Sequence, residues 1–144
     1  MARPVMTDGH KTLLVFASIA NTNFEWREIM PPGISNGGGK KTTTHANTAW
    51  HTKAPNVLRE LMDSGGTLVY HPTALAVLLA SVGVNQLITI TFPTADTLAF
   101  WGWLDEFTPD KLVAGEQPTA SAKIIVSNRD AVGDETAPIY TDVV

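Results

Sequence analysis

The sequence contains no cysteine, which excludes disulfide scaffolds, thiolate zinc sites, iron–sulfur clusters and thiol catalysis. It is also poor in charge: Asp, Glu, Lys and Arg make up 17% of the chain, against roughly 25% in an ordinary soluble domain. Something other than charge must keep much of the surface content, and partner subunits are one candidate. No apolar run reaches the ~18 residues of a membrane span. There is no basic excess either. Ten Lys and Arg stand against fourteen Asp and Glu, for a net charge of −4. A sequence-independent nucleic-acid binder would need a basic face to neutralise phosphates.

What is present is one domain's worth of chain, 144 residues, and about two thirds of its surface can be buried on folding. The charge is polarised. Residues 1–72 carry seven basic and five acidic side chains, and residues 73–144 carry three and nine, so the halves stand at +2 and −6. Opposite signs on one small body suit head-to-tail association. Lys11 followed by the apolar run from Thr12 to Ala20 imitates a signal peptide, but Pro4 and Asp8 in the leader speak against one. Residues 1–20 are read instead as an N-terminal arm or strand.

The run at 13–20 has the pattern of a strand buried on both faces. Residues 22–29 alternate, with Phe24 and Trp26 on one face and Asn23, Glu25 and Arg27 on the other. Two prolines and a triglycine then make residues 31–41 a long, mobile loop. The β-branched Thr42-Thr43-Thr44 resumes a strand. Val57, Leu58, Leu61 and Met62 have helical spacing, with Pro55 at the start and Gly65-Gly66 at the stop, so a short helix is expected there. Thr67 to Tyr70 is a brief strand. A helix follows from Thr73 to Val82, closed by Gly83. Leu87 to Phe92 and Thr97 to Phe107 form the clearest hairpin. Ala120 to Ser127 is a last strand, and 128–144 is an acidic, turn-rich arm.

Candidate chemistry does not hold up. His45 and His51, six apart, would lie about 20 Å apart on a strand and point in divergent directions on a helix. Gly38-Gly39-Lys40-Lys41-Thr42 imitates a phosphate loop, but Ile34 stands where the first glycine belongs and Lys41 where Ser or Thr must bind magnesium. Asp105 and Glu106, as strand neighbours, face opposite ways, and the Glu25/Glu28 pair reads as ordinary strand charge. There is no nucleophile elbow. Trp101 and Trp103 share a strand face on which a sugar or base can stack. These residues give no enzyme, no cofactor and no metal site.

The order of these segments resembles long-tailed (siphovirus-type) bacteriophage tail tube proteins. The likeness rests on the strand Leu87-Ile88-Thr89-Ile90-Thr91-Phe92-Pro93, the aromatic-x-Gly strand around Trp101-Gly102-Trp103, and Ala122-Lys123-Ile124-Ile125-Val126-Ser127. The Pro-Pro-Gly and glycine-rich loop before a Thr-rich strand adds to it. The likeness covers roughly residues 20–127. It implies a mainly β fold, a β-sandwich or half-barrel with one short α-helix, whose subunits form hexameric rings with a continuous inner β-barrel. On this reading residues 1–127 are the tail-tube β domain and 128–144 a C-terminal arm. Pro31, Pro32, Gly33, Ile34, Ser35, Asn36, Gly37, Gly38, Gly39, Lys40 and Lys41 would be the loop that reaches a neighbouring ring. The implied partners are other copies of the chain, the tape-measure protein, the tail terminator and the distal tail protein. Double-stranded DNA would pass transiently. The implied place is the virion tail, assembled in the host cytoplasm without membrane insertion.

Elementary geometry agrees. Exposed sheet edges must be paired, covered or blunted, and pairing around a ring removes them. Six subunits giving about four strands each make a ~24-stranded barrel with a lumen of roughly 40 Å, enough for a duplex. Lumen residues should be polar without being strongly basic. Glu25, Thr89, Thr91 and Asp105 are the lumen-facing candidates. The alternatives are a tail terminator, a contractile-system tube component, or a carbohydrate-binding β-sandwich using Trp101 and Trp103.

Overall fold

The structure, a computed structural model, describes residues 12–17 and 25–142, with only the backbone described at Thr73 and Ala74. The expectations for residues 1–11, 18–24 and 143–144 lie outside the described residues. What is described is mainly β, with one short helix and one large antiparallel sheet.

The sheet is built on the hairpin of β8 (Gln86–Thr91) and β9 (Thr97–Pro109). Period-2 alternation puts Ile88 opposite Phe100 and Ile90 opposite Leu98 on the core face. β9 is long enough to pair twice. Its first half takes β8, and its second half takes β10 (Thr119–Val126). β1 (Leu13–Phe16) extends the sheet beyond β8, while β7 (Ser64–Val69) and β2 (Trp26–Met30) extend it beyond β10. The path β1-β8-β9-β10-β7-β2 curls until its two end strands touch. Among the described residues no ladder joins those strands, and the barrel is not closed. Leu14, Phe16, Leu68, Ile88, Ile90, Phe100, Leu104 and Ile124 fill the concave side, each at most 2% exposed.

Several sequence expectations need correction. β1 is buried on one face only: Leu14 and Phe16 point in, while Leu13 is 46% exposed. In β2 the ladder slips at Arg27, so Ile29 joins Trp26 on the core side and strict alternation fails. No helix forms over 55–63. Leu61 pairs with Ile34, and the Met62 amide donates to the Gly33 carbonyl at 2.7 Å. Cross-strand bonds to the segment after Pro32 thus override a helical spacing that buries little, since Val57 is 86% exposed. Gly65-Gly66 does not stop a helix but sits inside β7.

The anticipated mobile loop at 31–41 is one limb of a long hairpin arm. β3 (Ile34–Ser35) pairs with β6 (Glu60–Leu61), and β4 (Lys40–Lys41) with β5 (Lys53–Ala54). Between these short ladders Gly37, Gly38 and Gly39 all take positive φ, which only glycine adopts freely. Thr42 carries the pairing on through its amide to the Thr52 carbonyl, 2.9 Å. The tip is closed by the Asn47 side chain, which accepts from the Thr44 amide and donates to the Trp50 carbonyl, both at 2.8 Å.

The helix α1 (Pro72–Ser81) opens on a proline, whose missing N–H costs nothing in a first turn. Gly83, with φ +84°, ends it in the left-handed conformation. The Gly83 amide donates to the Leu104 carbonyl at 3.0 Å, tying the helix end to β9.

Candidate assembly surfaces

Three surfaces stand out, each traceable to its sequence. The first is the exterior of α1. The helix Pro-Thr-Ala-Leu-Ala-Val-Leu-Leu-Ala-Ser has no charged residue, and it lies in a stretch, 64–104, with one formally charged side chain, Asp96. A helix apolar all round belongs in an interior. Here only one side meets the sheet: Leu78 is 1% exposed and Val77 packs on the core, whereas Leu79 is 78% exposed. Val82 and Val84 continue the open apolar surface.

The second surface is the arm. It leaves the sheet after Met30 and returns at Ser64. Residues 31–63 carry four basic side chains (Lys40, Lys41, Lys53, Arg59) against Glu60 and Asp63. Exposed Ile34, Trp50, Val57, Leu58 and Met62 add apolar area. Between the arm's base and the C-terminal segment lies a groove of about 400 Å³, lined by Ile34, Leu58, Leu61, Asn128, Glu135 and Pro138 among others.

The third surface is the far end of the sheet. β7 ends at Val69 beside Thr119, so the β9–β10 connection lies opposite the arm's root. Residues 105–118 carry Asp105, Glu106, Asp110 and Glu116 against Lys111. Leu112 and Val113 are exposed there. A basic, apolar projection at one end thus faces away from an acidic, partly apolar end.

Of the lumen candidates, Thr89 and Thr91 lie together on the convex face of β8, opposite Ala99 and Thr97. Asp105 sits at the register shift between β9 and β10, half-buried. Glu25 is exposed just before β2, at the end of the strands away from the β8–β9 turn, where its carbonyl accepts from the Val69 amide at 2.8 Å. The structure therefore groups the two threonines and separates the two carboxylates from them. Trp101 and Trp103 are half-buried on the convex face, opposite Leu87 and Ile125. His51 contacts the Thr43 hydroxyl at 3.2 Å, and no group of three potential metal ligands occurs among the described residues. No helix there is long and apolar enough to cross a membrane.

The acidic C-terminal arm adds a clasp that sequence reasoning missed. β11 (Ile139–Thr141) pairs with Ala99 to Thr97 of β9. Tyr140 Oη and Thr94 Oγ1 both donate to Asp96 Oδ2, at 3.0 and 2.9 Å. A hydrogen bond to Asp96, then burial, then the Asp96 charge hold the Asp142 carboxyl above its ordinary range. The Asp96 hydrogen bond likewise raises the Tyr140 phenol. Between the ordinary carboxylate value and the raised one, the folded form holds a proton on Asp142 more often than the unfolded chain does. Its stabilising effect is therefore complete at a pH below the ordinary carboxylate value and fades as pH rises through the raised one. Amide exchange at Ile139–Thr141, corrected for its intrinsic pH dependence, should slow on mild acidification. Asp96→Asn should remove that response.

No protein-family model matches the chain, and no curated protein matches it. Among solved structures, the fold is similar to that of a chain in the cryo-EM structure of the anti-feeding prophage (AFP) baseplate, 6-fold symmetrised. The TM-score is 0.63 at 12% identity, over 88% of this chain and 94% of that one.

Proposed function

We propose that the chain is a non-enzymatic structural subunit of a phage-type tail, which self-assembles through hexameric rings into the tail tube. The observation that carries this reading is the charge-free exterior of α1, with Leu79 78% exposed on a helix that has no polar face to offer water. Ends of opposite charge supply the other contacts. The fold shared with a chain from a 6-fold symmetrised assembly supports the same reading. In the tube, the inner sheets would join into one barrel around the tape-measure protein. That protein would give way to double-stranded DNA during genome ejection. The arm would reach the next ring, and terminator and distal tail protein would close the ends. The virion tail, assembled in the host cytoplasm, is the corresponding location.

A second reading is a single-ring component: a terminator, or a ring of a contractile-type tube or baseplate. The baseplate origin of the similar chain favours it. Electron microscopy of the concentrated protein separates the two. Tubes of indefinite length support the tube subunit, isolated rings support the second reading, and a strict monomer at every concentration refutes both.

A further inference from the structure

Of the seven asparagines, Asn36 alone is followed by glycine. A glycine has no Cβ to shield its backbone nitrogen or restrict its approach to the preceding side chain. We propose that Asn36 is a self-modification site whose reaction unlocks the arm. The Gly37 nitrogen attacks Cγ of the Asn36 carboxamide. The Cγ–Nδ2 bond breaks, and Nδ2 leaves as ammonia with the proton given up by Gly37. Water then opens the cyclic imide to aspartate or isoaspartate.

The geometry shows why this reaction is gated. Asn36 and Asn56 clasp the two limbs together. Asn36 Nδ2 donates to the Asn56 carbonyl at 2.9 Å, and Asn36 Oδ1 accepts from the Asn56 amide at 2.8 Å. Asn56 Nδ2 returns a bond to the Asn36 carbonyl at 2.9 Å. Meanwhile the Gly37 amide donates to Ser35 Oγ at 3.1 Å. Nucleophile and electrophile are thus both engaged elsewhere, and only an opened clasp lets them meet. The reaction is also one-way in its structural effect. An aspartate at 36 has no hydrogen to give the Asn56 carbonyl and sets a negative charge against it. An isoaspartate adds a main-chain methylene between the β3–β6 and β4–β5 ladders and breaks their common register. The inference concerns the arm alone and does not rest on the tail-tube reading.

Peptide mapping by mass spectrometry of the full-length chain, aged at neutral to mildly alkaline pH, tests it. Conversion should appear at Asn36 ahead of the other six asparagines. Asn56→Ala removes the bond from Asn56 Nδ2 to the Asn36 carbonyl and keeps the two made by the Asn56 backbone, so the loosened clasp should accelerate conversion by up to about tenfold. Adding Gly37→Ala to that variant should slow it again, because a methyl shields the nitrogen. Far-UV circular dichroism checks that the sheet is intact in each variant, and the wild-type chain supplies the first readout without any substitution. If Asn36 keeps its amide as long as half-buried Asn47 or Asn128, or if Asn56→Ala changes nothing, the proposal is overturned.

Discussion

Replacing Leu79 by lysine should leave the monomer as stable as before and abolish its association. Leucine and lysine have similar helix propensities, and a substitution at a 78% exposed position is expected to shift stability by no more than about 0.5 kcal/mol. In an assembled interface the same ammonium is buried without a partner. That costs several kcal/mol in each copy, and every 1.4 kcal/mol is tenfold in affinity, so association should weaken by at least ~100-fold. The adjacent residue provides the contrast. Leu78 is 1% exposed, and Leu78→Ala should cost about 2–5 kcal/mol of folding stability. Urea denaturation reads one effect and sedimentation the other. A Leu79→Lys protein that assembles like wild type would remove α1 from the interface and, with it, the main support for the tube.

How far the sequence could be read depended on the range of the forces in each segment. The β8–β9 hairpin, β10 and α1 were legible because alternation, helix formers and a closing glycine all act within a few residues. The arm was not. Its ladders pair Ile34 with Leu61 and Lys40 with Ala54, and no local pattern reports such partners. Val57, Leu58, Leu61 and Met62 imitate a helix because their spacing is coincidental. Only Leu61 packs on the core, and the other three face solvent. The Asn36–Asn56 clasp spans twenty residues and leaves no signature beyond two asparagines. The helix exterior, by contrast, was visible in the absence of any charge between Pro72 and Ser81, although that silence speaks of surface only once the sheet is known to cover one side. The lumen candidates rest on strand-face polarity. That criterion finds Thr89 and Thr91 together, but it cannot see that Glu25 lies at the other end of the strands, beside Val69.

The Gly65-Gly66 pair carries the sharpest consequence for folding, because its role differs from the one its sequence suggests. β7 lies between β10 and β2, with Gly66 opposite Ala122 on one side and Ile29 on the other. A methyl built on Gly66 would overlap the Glu28 carbonyl. The obstacle is backbone, so no side chain can swing aside to relieve it. Gly66→Ala must therefore push β2 away from β7, lifting Ile29 and Trp26 off the core they pack against. Overpacking of this kind typically costs 1–3 kcal/mol, and with two core side chains displaced a loss of about 3 kcal/mol is expected in urea denaturation. Gly38→Ala is the matched control. Its Cβ would meet nothing within 4 Å, and its φ of +84° leaves only left-handed strain, about 1–2 kcal/mol, confined to the arm. It should lower the urea midpoint clearly less than Gly66→Ala does. Gly66→Ala with wild-type stability would mean that β2 does not lie against β7 as described. The arm, which hangs from the end of β2, would then have no fixed root from which to reach a neighbour.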